Sequence, residues 1–432
     1  MHKGQLLPKE AWSHVAKRTL VTSLLAVSVL AFGADAAASV VQQVSLTGNS
    51  DSFFGYSVAA SGNTVVVGAH NDAGGNGAAY VYVRNGSSWT QQQELTASDG
   101  ASGDQFGYTV AISGNTVLVG AANKANGQGY VYAFGRSGST WAQQAELTSS
   151  DGAANDCFGC SLAVSGTAAF IGAPGKLGNT GGAYTFTSNG TSWSQGGEFV
   201  GQAADEYFGF AVAISSDATT AVAGAFGANS SQGDAYVFTQ SGTTWSQKAV
   251  LTSSDGAAGD SFGYSVGVDS GTVLVGAYAN DGKGAAYAFT GSGASWSQQA
   301  KLVASDGAAG DDFGFTVALS GTTAVVGAYQ KNSTGGPGQA YVYTDSAGSW
   351  AQQELSPQGA YFGYSVAASG TTAVVSALAS YSGEVAIYAS ATQMAPPTAP
   401  ALGHAVGLLA MALLVAACAV LRARPARGGI AL

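Results

Sequence analysis

The chain has 432 residues, and only 9% of them are Asp, Glu, Lys or Arg, against about 25% in an average soluble protein. The formal net charge is −10 and the central region holds no basic run, which excludes the clustered Lys and Arg that nucleic acid or an anionic membrane surface requires. An apolar content of 46% excludes a disordered chain, and 63 Gly with 19 Tyr among Val, Ala, Ser and Thr point to short strands joined by tight turns.

The first segment reads as an address. Lys3, Lys9, Lys17 and Arg18 precede an apolar run from Thr19 to Phe32, and small residues follow with Ala34 and Ala36 in A-x-A spacing. This order predicts a secretory signal peptide over 1–38. The run is short for a membrane-crossing helix, so an uncleaved anchor is the weaker reading.

Residues 39–391 are one unit repeated seven times. The dipeptide FG recurs with its glycine at Gly55, Gly107, Gly159, Gly209, Gly263, Gly314 and Gly363, at intervals of 52, 52, 50, 54, 51 and 49 residues. Thirteen residues on comes GA in most copies, as at Gly68-Ala69 and Gly120-Ala121; the fourth copy carries two extra residues, and the seventh has Ser376-Ala377. Trp89, Trp141, Trp193, Trp245, Trp296 and Trp350 keep the same beat. Each copy holds four strand-like runs, in the second FGYTVAIS, NTVLVGA, GYVYAF and STWAQQAEL. Four antiparallel strands per repeat of about 50 residues describe a propeller blade. The predicted fold class is all-β, a seven-bladed β-propeller, with small residues near the axis and Trp and Tyr further out. A two-sheet sandwich does not explain seven equal copies.

The last copy lacks its fourth run. Val40–Leu46 (VVQQVSL) matches the Gln-Gln-x-Glu-Leu pattern of that run and precedes the first FG. The N-terminal strand is therefore predicted to close the ring beside Glu384–Tyr388, which removes an open sheet edge.

With FG, then GA at a fixed offset, seven times over, the sequence resembles the FG-GAP repeat family, whose repeats form the propeller head of integrin α subunits. The resemblance covers about residues 39–391. It implies a seven-bladed propeller and, by analogy, extracellular adhesion or ligand binding. Integrin-type blades carry a calcium loop, D-x-D-x-D-G-x-x-D, between their first two strands. This chain has SGNT, SGT or SGTT there, so those calcium sites do not carry over. No leg domains follow the repeats, so the chain looks like a propeller-only relative.

Three sets of residues are candidates for chemistry. The loops between blades read S-D-G-A-x-x-D-x-F-G in four places and pair Asp99 with Asp104, Asp151 with Asp156, Asp255 with Asp260 and Asp306 with Asp311. Such pairs offer oxygen ligands to calcium; the alternative is that each Asp bonds to backbone amides and fixes its turn. The loops after GA vary more, and variable loops on a rigid scaffold are where binding sits. His70, Phe226, Tyr278 and Tyr329 follow the GA dipeptides and are predicted to line the mouth of the central channel, where they bind a carbohydrate or peptide or simply plug it. Asn85, Asn189, Asn229 and Asn332 lie in N-x-S/T sequons, glycosylation acceptors in a secreted eukaryotic protein. Cys157 and Cys160 occur once, without a second pair for zinc or a redox context, and read as two unlinked replacements. No Ser/His/Asp or paired-carboxylate constellation stands out.

At the other end, Met394–Ala401 belongs to a Pro-rich spacer (392–401). Leu402–Leu421 forms an apolar stretch of the length that spans a bilayer once. Arg422, Arg424 and Arg427 follow, placing the short tail (422–432) in the cytoplasm. A bacterial surface-sorting tail has the same layout. The sequence thus leads to a non-enzymatic cell-surface propeller, held by a single membrane pass, that binds an extracellular protein or glycan through its inter-blade loops. The alternatives are a propeller-scaffold glycan hydrolase or lyase and a structural coat protein.

Overall fold

The second run of each copy explains how the sheets are arranged. TVVVGA at Thr64–Ala69 is buried at all six positions, as a strand covered on both faces must be. Each blade therefore packs against a neighbour on either side. The computed structural model describes residues 39–331, 336–357, 359–378 and 382–390. The chain divides into two units, Met1–Ala391 and Thr392–Leu432. The predicted signal peptide (1–38), the spacer, the membrane helix (402–421) and the tail lie outside the described residues. No described helix is long and apolar enough to cross a membrane.

The described strands form seven four-stranded antiparallel sheets. Blade 1 comprises Ser57–Ser61, Thr64–Ala69, Ala78–Asn85 and Ser88–Leu95, in that order from the axis outward. Blade 7 takes its inner strands from Val366–Ser369, Thr372–Ala377 and Glu384–Ser390, and its outer strand is Val40–Thr47. Val40 pairs with Ser390 and Leu46 with Val385, so the N-terminal strand closes the ring as the missing fourth run predicts. Gln353 of blade 6 clamps the start of that strand: the Val40 N–H donates to its Oε1 at 2.9 Å, and its Nε2 donates to the Val40 carbonyl at 2.7 Å. The same Gln-Gln pattern serves elsewhere, as when Gln93 of blade 1 exchanges bonds of 2.8 Å with the backbone of Trp141 in blade 2.

The core lies between blades. Each FG phenylalanine, from Phe54 to Phe362, is 0–2% exposed. Phe106 packs on Tyr132 and Phe134 of its own third strand at centroid distances of 5.5 and 6.0 Å, the reason that strand alternates aromatic and small residues. The two dipeptide glycines meet across the blade boundary. Gly107 adopts φ +90°, and a Cβ there would lie 2.2 Å from the Ala78 carbonyl oxygen; a Cβ on Gly68 would lie 2.1 Å from the Gly107 oxygen. Only glycine meets both demands.

At the end of the axis away from FG, the Ser-Gly turns form a belt. The Gly62 N–H donates to Ser369 Oγ at 2.9 Å, Gly114 to Ser61 at 3.1 Å, Gly166 to Ser113 at 3.0 Å and Gly370 to Ser320 at 3.0 Å. Ser165 Oγ reaches the Ser216 carbonyl at 2.9 Å, and Asp269 accepts from Ser216 Oγ at 2.5 Å and from the Gly321 N–H at 2.7 Å. All seven blade boundaries are thereby tied.

Candidate functional site

The residue after each FG lies at or just before the start of the innermost strand and faces the axis. Tyr56, Tyr108, Cys160, Phe210, Tyr264, Phe315 and Tyr364 wall a central cavity of about 430 Å³. Six of the seven are aromatic and touch in sequence. Centroid distances are 4.9 Å for Tyr108–Tyr56, 5.4 Å for Tyr56–Tyr364, 5.7 Å for Tyr364–Phe315, 5.0 Å for Phe315–Tyr264 and 4.7 Å for Tyr264–Phe210. Below the ring, six blades present a Ser or Thr and blade 4 presents Ala211; a layer of Val and Leu follows. These hydroxyls stitch blades together, as when Ser57 Oγ accepts the Val110 N–H at 3.0 Å and Ser265 Oγ donates to the Gly314 carbonyl at 2.9 Å. Among the described residues no charged side chain lines the cavity. Burial keeps its phenols protonated: the Tyr364 hydroxyl is pushed up to about 12, and Tyr56 and Tyr108 move in the same direction for the same first reason. The wall is therefore neutral at physiological pH.

Blade 3 breaks the aromatic ring. Cys160 stands in the ring position and is disulfide-bonded to Cys157, with Pro174 beside them on the wall. This corrects the reading of the two cysteines as unlinked. The FG turn donates the Cys160 N–H to the Cys157 carbonyl at 3.0 Å, which brings the two side chains to the same side of a tight loop.

His70, Phe226, Tyr278 and Tyr329 do not form the cavity wall. They follow the second strand, one strand further from the axis, and each supports a ring member. His70 lies 4.3 Å from Tyr56, Phe226 4.7 Å from Phe210, Tyr278 4.6 Å from Tyr264 and Tyr329 4.2 Å from Phe315. His70 is buried, and burial pushes its imidazole down to about 4, so it is neutral at physiological pH; its Nδ1 has no partner. Sequence reasoning took the residue after GA and missed the residue after FG, although FGY, FGF and FGC repeat at the same spacing.

The paired aspartates lie in the loops on this face, and two different bonds hold them. The first of each pair accepts a tyrosine hydroxyl at 2.8 Å: Asp99 from Tyr132, Asp151 from Tyr184, Asp255 from Tyr287 and Asp306 from Tyr341. The second accepts the amide three residues earlier: Asp104 from Ala101 at 3.0 Å, Asp156 from Ala153 at 2.9 Å, Asp260 from Ala257 at 2.8 Å and Asp311 from Ala308 at 2.7 Å. Lysines complete the loops. Lys124 Nζ sits 2.9 Å from Asp99 and 3.1 Å from Asp104, and Lys331 Nζ 3.0 Å from Asp306 and 3.2 Å from Asp311. Lys176 pairs with Asp151, and Lys301 with Asp255 at 2.6 Å. Burial alone would raise the pKa of each first Asp, but the lysine and tyrosine bonds hold all four below the ordinary carboxylate value. The donor set does not fit calcium as it stands, because an ammonium already bridges the carboxylates of two pairs and an ion entering there would have to displace it. Among the described residues no group of three acids, imidazoles or thiols gathers.

Of the sequon residues, Asn85, Asn189 and Asn229 are exposed. Asn189 holds its outer turn by accepting the Thr191 and Ser192 amides at 3.0 and 2.8 Å. Asn332 lies outside the described residues.

Fold and cavity together define a closed seven-bladed β-propeller with an aromatic-walled axial cavity on its loop face. The chain belongs to the FG-GAP repeat family, whose pattern matches residues 41–82, 89–134, 141–186, 245–289 and 296–343. Each match spans one outer strand and the first three strands of the next blade; the first three strands of blades 4 and 7 fall outside. A chain in a solved structure titled "Crystal Structure of Mitotic Checkpoint Complex" is similar over 83% of this chain and 99% of its own, with 14% identity and a TM-score of 0.54. That similarity concerns the fold alone. No curated protein matches the sequence.

Proposed function

We propose that this propeller is a non-enzymatic, exported binding protein, held at the cell surface by Leu402–Leu421, and that it engages an extracellular glycan or protein through the axial cavity and the loops around it. The observation that carries this reading is the cavity itself. A closed propeller can fill its axis with side chains, yet here a space of about 430 Å³ is walled by six aromatics without a charge. Such a wall suits a neutral ligand that presents an apolar face, such as a sugar ring or a peptide side chain, with tyrosine hydroxyls to orient it. Export is supported by the basic-apolar-small N-terminal segment and by the Cys157–Cys160 bond, since disulfides persist in oxidising compartments.

Glycan cleavage needs a general acid and a second carboxylate across the scissile bond, and among the described residues the cavity wall supplies neither. The test is a glycan array and a cell-surface capture with the full chain. Specific signals that fall when Tyr264 and Tyr364 are changed to Ala support the binder. Empty results in both leave a coat protein, and turnover of an arrayed polysaccharide selects the enzyme.

A further inference from the structure

Four of the carboxylate loops carry their own ammonium. Lys124, Lys176 and Lys331 hold the same place in blades 2, 3 and 6, four residues past the glycine of GA, and Lys301 reaches Asp255 from the outer strand of blade 5. Blade 4 is the exception. Glu206 stands where Asp104 and Asp311 receive the lysine Nζ at 3.1 and 3.2 Å. Ala228 stands where the lysine does, and the third strand opens with Asp234 in place of Tyr130, Gly182 or Gln339 of the lysine-bearing blades. The first three strands of this blade also lie outside the family matches.

Two acids are thus buried without a cation among the described residues. Glu206 and Asp234 are each 8% exposed. Glu206 accepts the Gln202 N–H at 2.6 Å, and Asn229 Nδ2 donates to Asp234 Oδ2 at 3.0 Å. Asp234 Oδ1 is enclosed and has no hydrogen-bond partner, a costly state for a carboxylate oxygen. Burial first, and the Glu206 charge second, raise the Asp234 pKa. The carboxylate lies on the route of the sister lysine: in blade 3 a Cβ on Gly182 would sit 2.7 Å from Lys176 Cδ, and Asp234 is the residue that replaces this glycine. Tyr236 repeats the ring that flanks the sister ammonium, as Tyr184 does with its centroid 5.5 Å from Lys176 Nζ.

We propose that the loops entering blade 4 form a socket for a primary ammonium supplied from outside the chain, such as a partner's lysine side chain, in the place that an internal lysine fills in blades 2, 3 and 6. An ammonium has three donors; in blade 6 Lys331 Nζ directs them to Asp306, Asp311 and the Asp306 carbonyl, and in blade 4 the two carboxylates supply acceptors for the same group. Calcium requires six or more oxygens, and among the described residues no third carboxylate joins this pair in a metal-holding group. Asp205 and Asn229 are exposed at the rim, and a net charge of −10 favours approach of a cation. The site is separate from the axial cavity, so either can fail without the other.

The test is the melting temperature of the full chain in methylammonium chloride, in Nα-acetyl-lysine amide, in calcium chloride, and in tetramethylammonium chloride at matched ionic strength. Both primary amines should raise it by several degrees over tetramethylammonium at about 100 times their Kd. The lysine derivative acting at the lower concentration identifies a partner side chain, and the reverse order a free amine. Asp234→Asn should abolish the response. Ala228→Lys should itself raise the melting temperature and leave added amine without effect, because it supplies the missing lysine. Equal responses to methylammonium and tetramethylammonium would overturn the proposal. So would a response to calcium alone, or an Ala228→Lys protein that melts lower and still responds to amine.

Discussion

Removing Lys331 should separate a buried lock from a surface decoration. Its ammonium is 7% exposed and bridges Asp306 at 3.0 Å and Asp311 at 3.2 Å, and Asp311 is itself 3% exposed. Lys331→Met keeps the apolar stem and leaves Asp311 buried without its cation. Breaking a buried pair from one side costs about 3–5 kcal/mol. Asp311 keeps the Ala308 N–H at 2.7 Å, which places the loss near about 3 kcal/mol. For a domain of this size that lowers the melting temperature by about 4 °C. Lys301→Met is the control. Lys301 is 27% exposed and its second partner, Asp281, is 76% exposed, so its loss should stay within about 1 kcal/mol. The pH dependence has a definite sign. Although burial opposes it, Lys331 holds Asp306 below the ordinary carboxylate value, so this contribution is complete above that value and disappears as pH falls through the lower folded pKa. The gap between Lys331→Met and the unaltered protein should therefore narrow in acid. Thermal melts by circular dichroism at pH 7 and pH 3 check both points. Equal melting of the Lys331 and Lys301 variants, or full rescue of Lys331→Met by calcium, would refute the lock.

Further expectations follow from the same geometry. Asp312 is raised to about 6 by burial and then by Asp311, so the folded state binds its proton more tightly than the unfolded chain and the ionised form is destabilising above that pH; Asp312→Asn should melt higher than the unaltered protein at pH 7.5 and lose that advantage near pH 4. Gly107→Ala places a Cβ 2.2 Å from the Ala78 oxygen at φ +90° and should cost about 3 kcal/mol or more, against about 1 kcal/mol for Gly114→Ala, where φ is +56° and nothing lies within 4 Å. Removing residues 39–47 should expose the Glu384–Ser390 edge and convert a monodisperse protein into dimers or aggregates by light scattering. A chelator should leave the melting temperature unchanged if lysines, not calcium, neutralise the aspartate loops.

The blades were legible because the pattern repeats. FG marks a glycine in all seven copies and GA a glycine in six, with Ser376 in the seventh, and the closing strand announced itself as a Gln-Gln run left over at the N-terminus. The cavity was less legible. The residue after GA looked variable and therefore functional, yet it supports the wall, and the wall is the regular residue after FG. Regularity hid it, because an aromatic that recurs in six of seven blades reads as packing. The lysines were missed for a different reason. Lys124 lies 25 residues from Asp99, and Lys301 lies 46 from Asp255; only closure of the blades brings them together. The Cys157–Cys160 bond depended on the turn at Gly159, where a three-residue spacing becomes a side-by-side pair.

The axial cavity as the binding site is tested most directly by filling it. Ala211 is the small member of the layer below the aromatic ring, and Ala211→Phe occupies the space without removing any ring residue or hydrogen bond. The measurement is the affinity of this variant for whichever glycan or surface protein the unaltered chain captures, with a melt as control. At least a tenfold loss, about 1.4 kcal/mol, with folding retained, is the result predicted. Unchanged affinity with the cavity filled would contradict the account and move the binding to the outer loops.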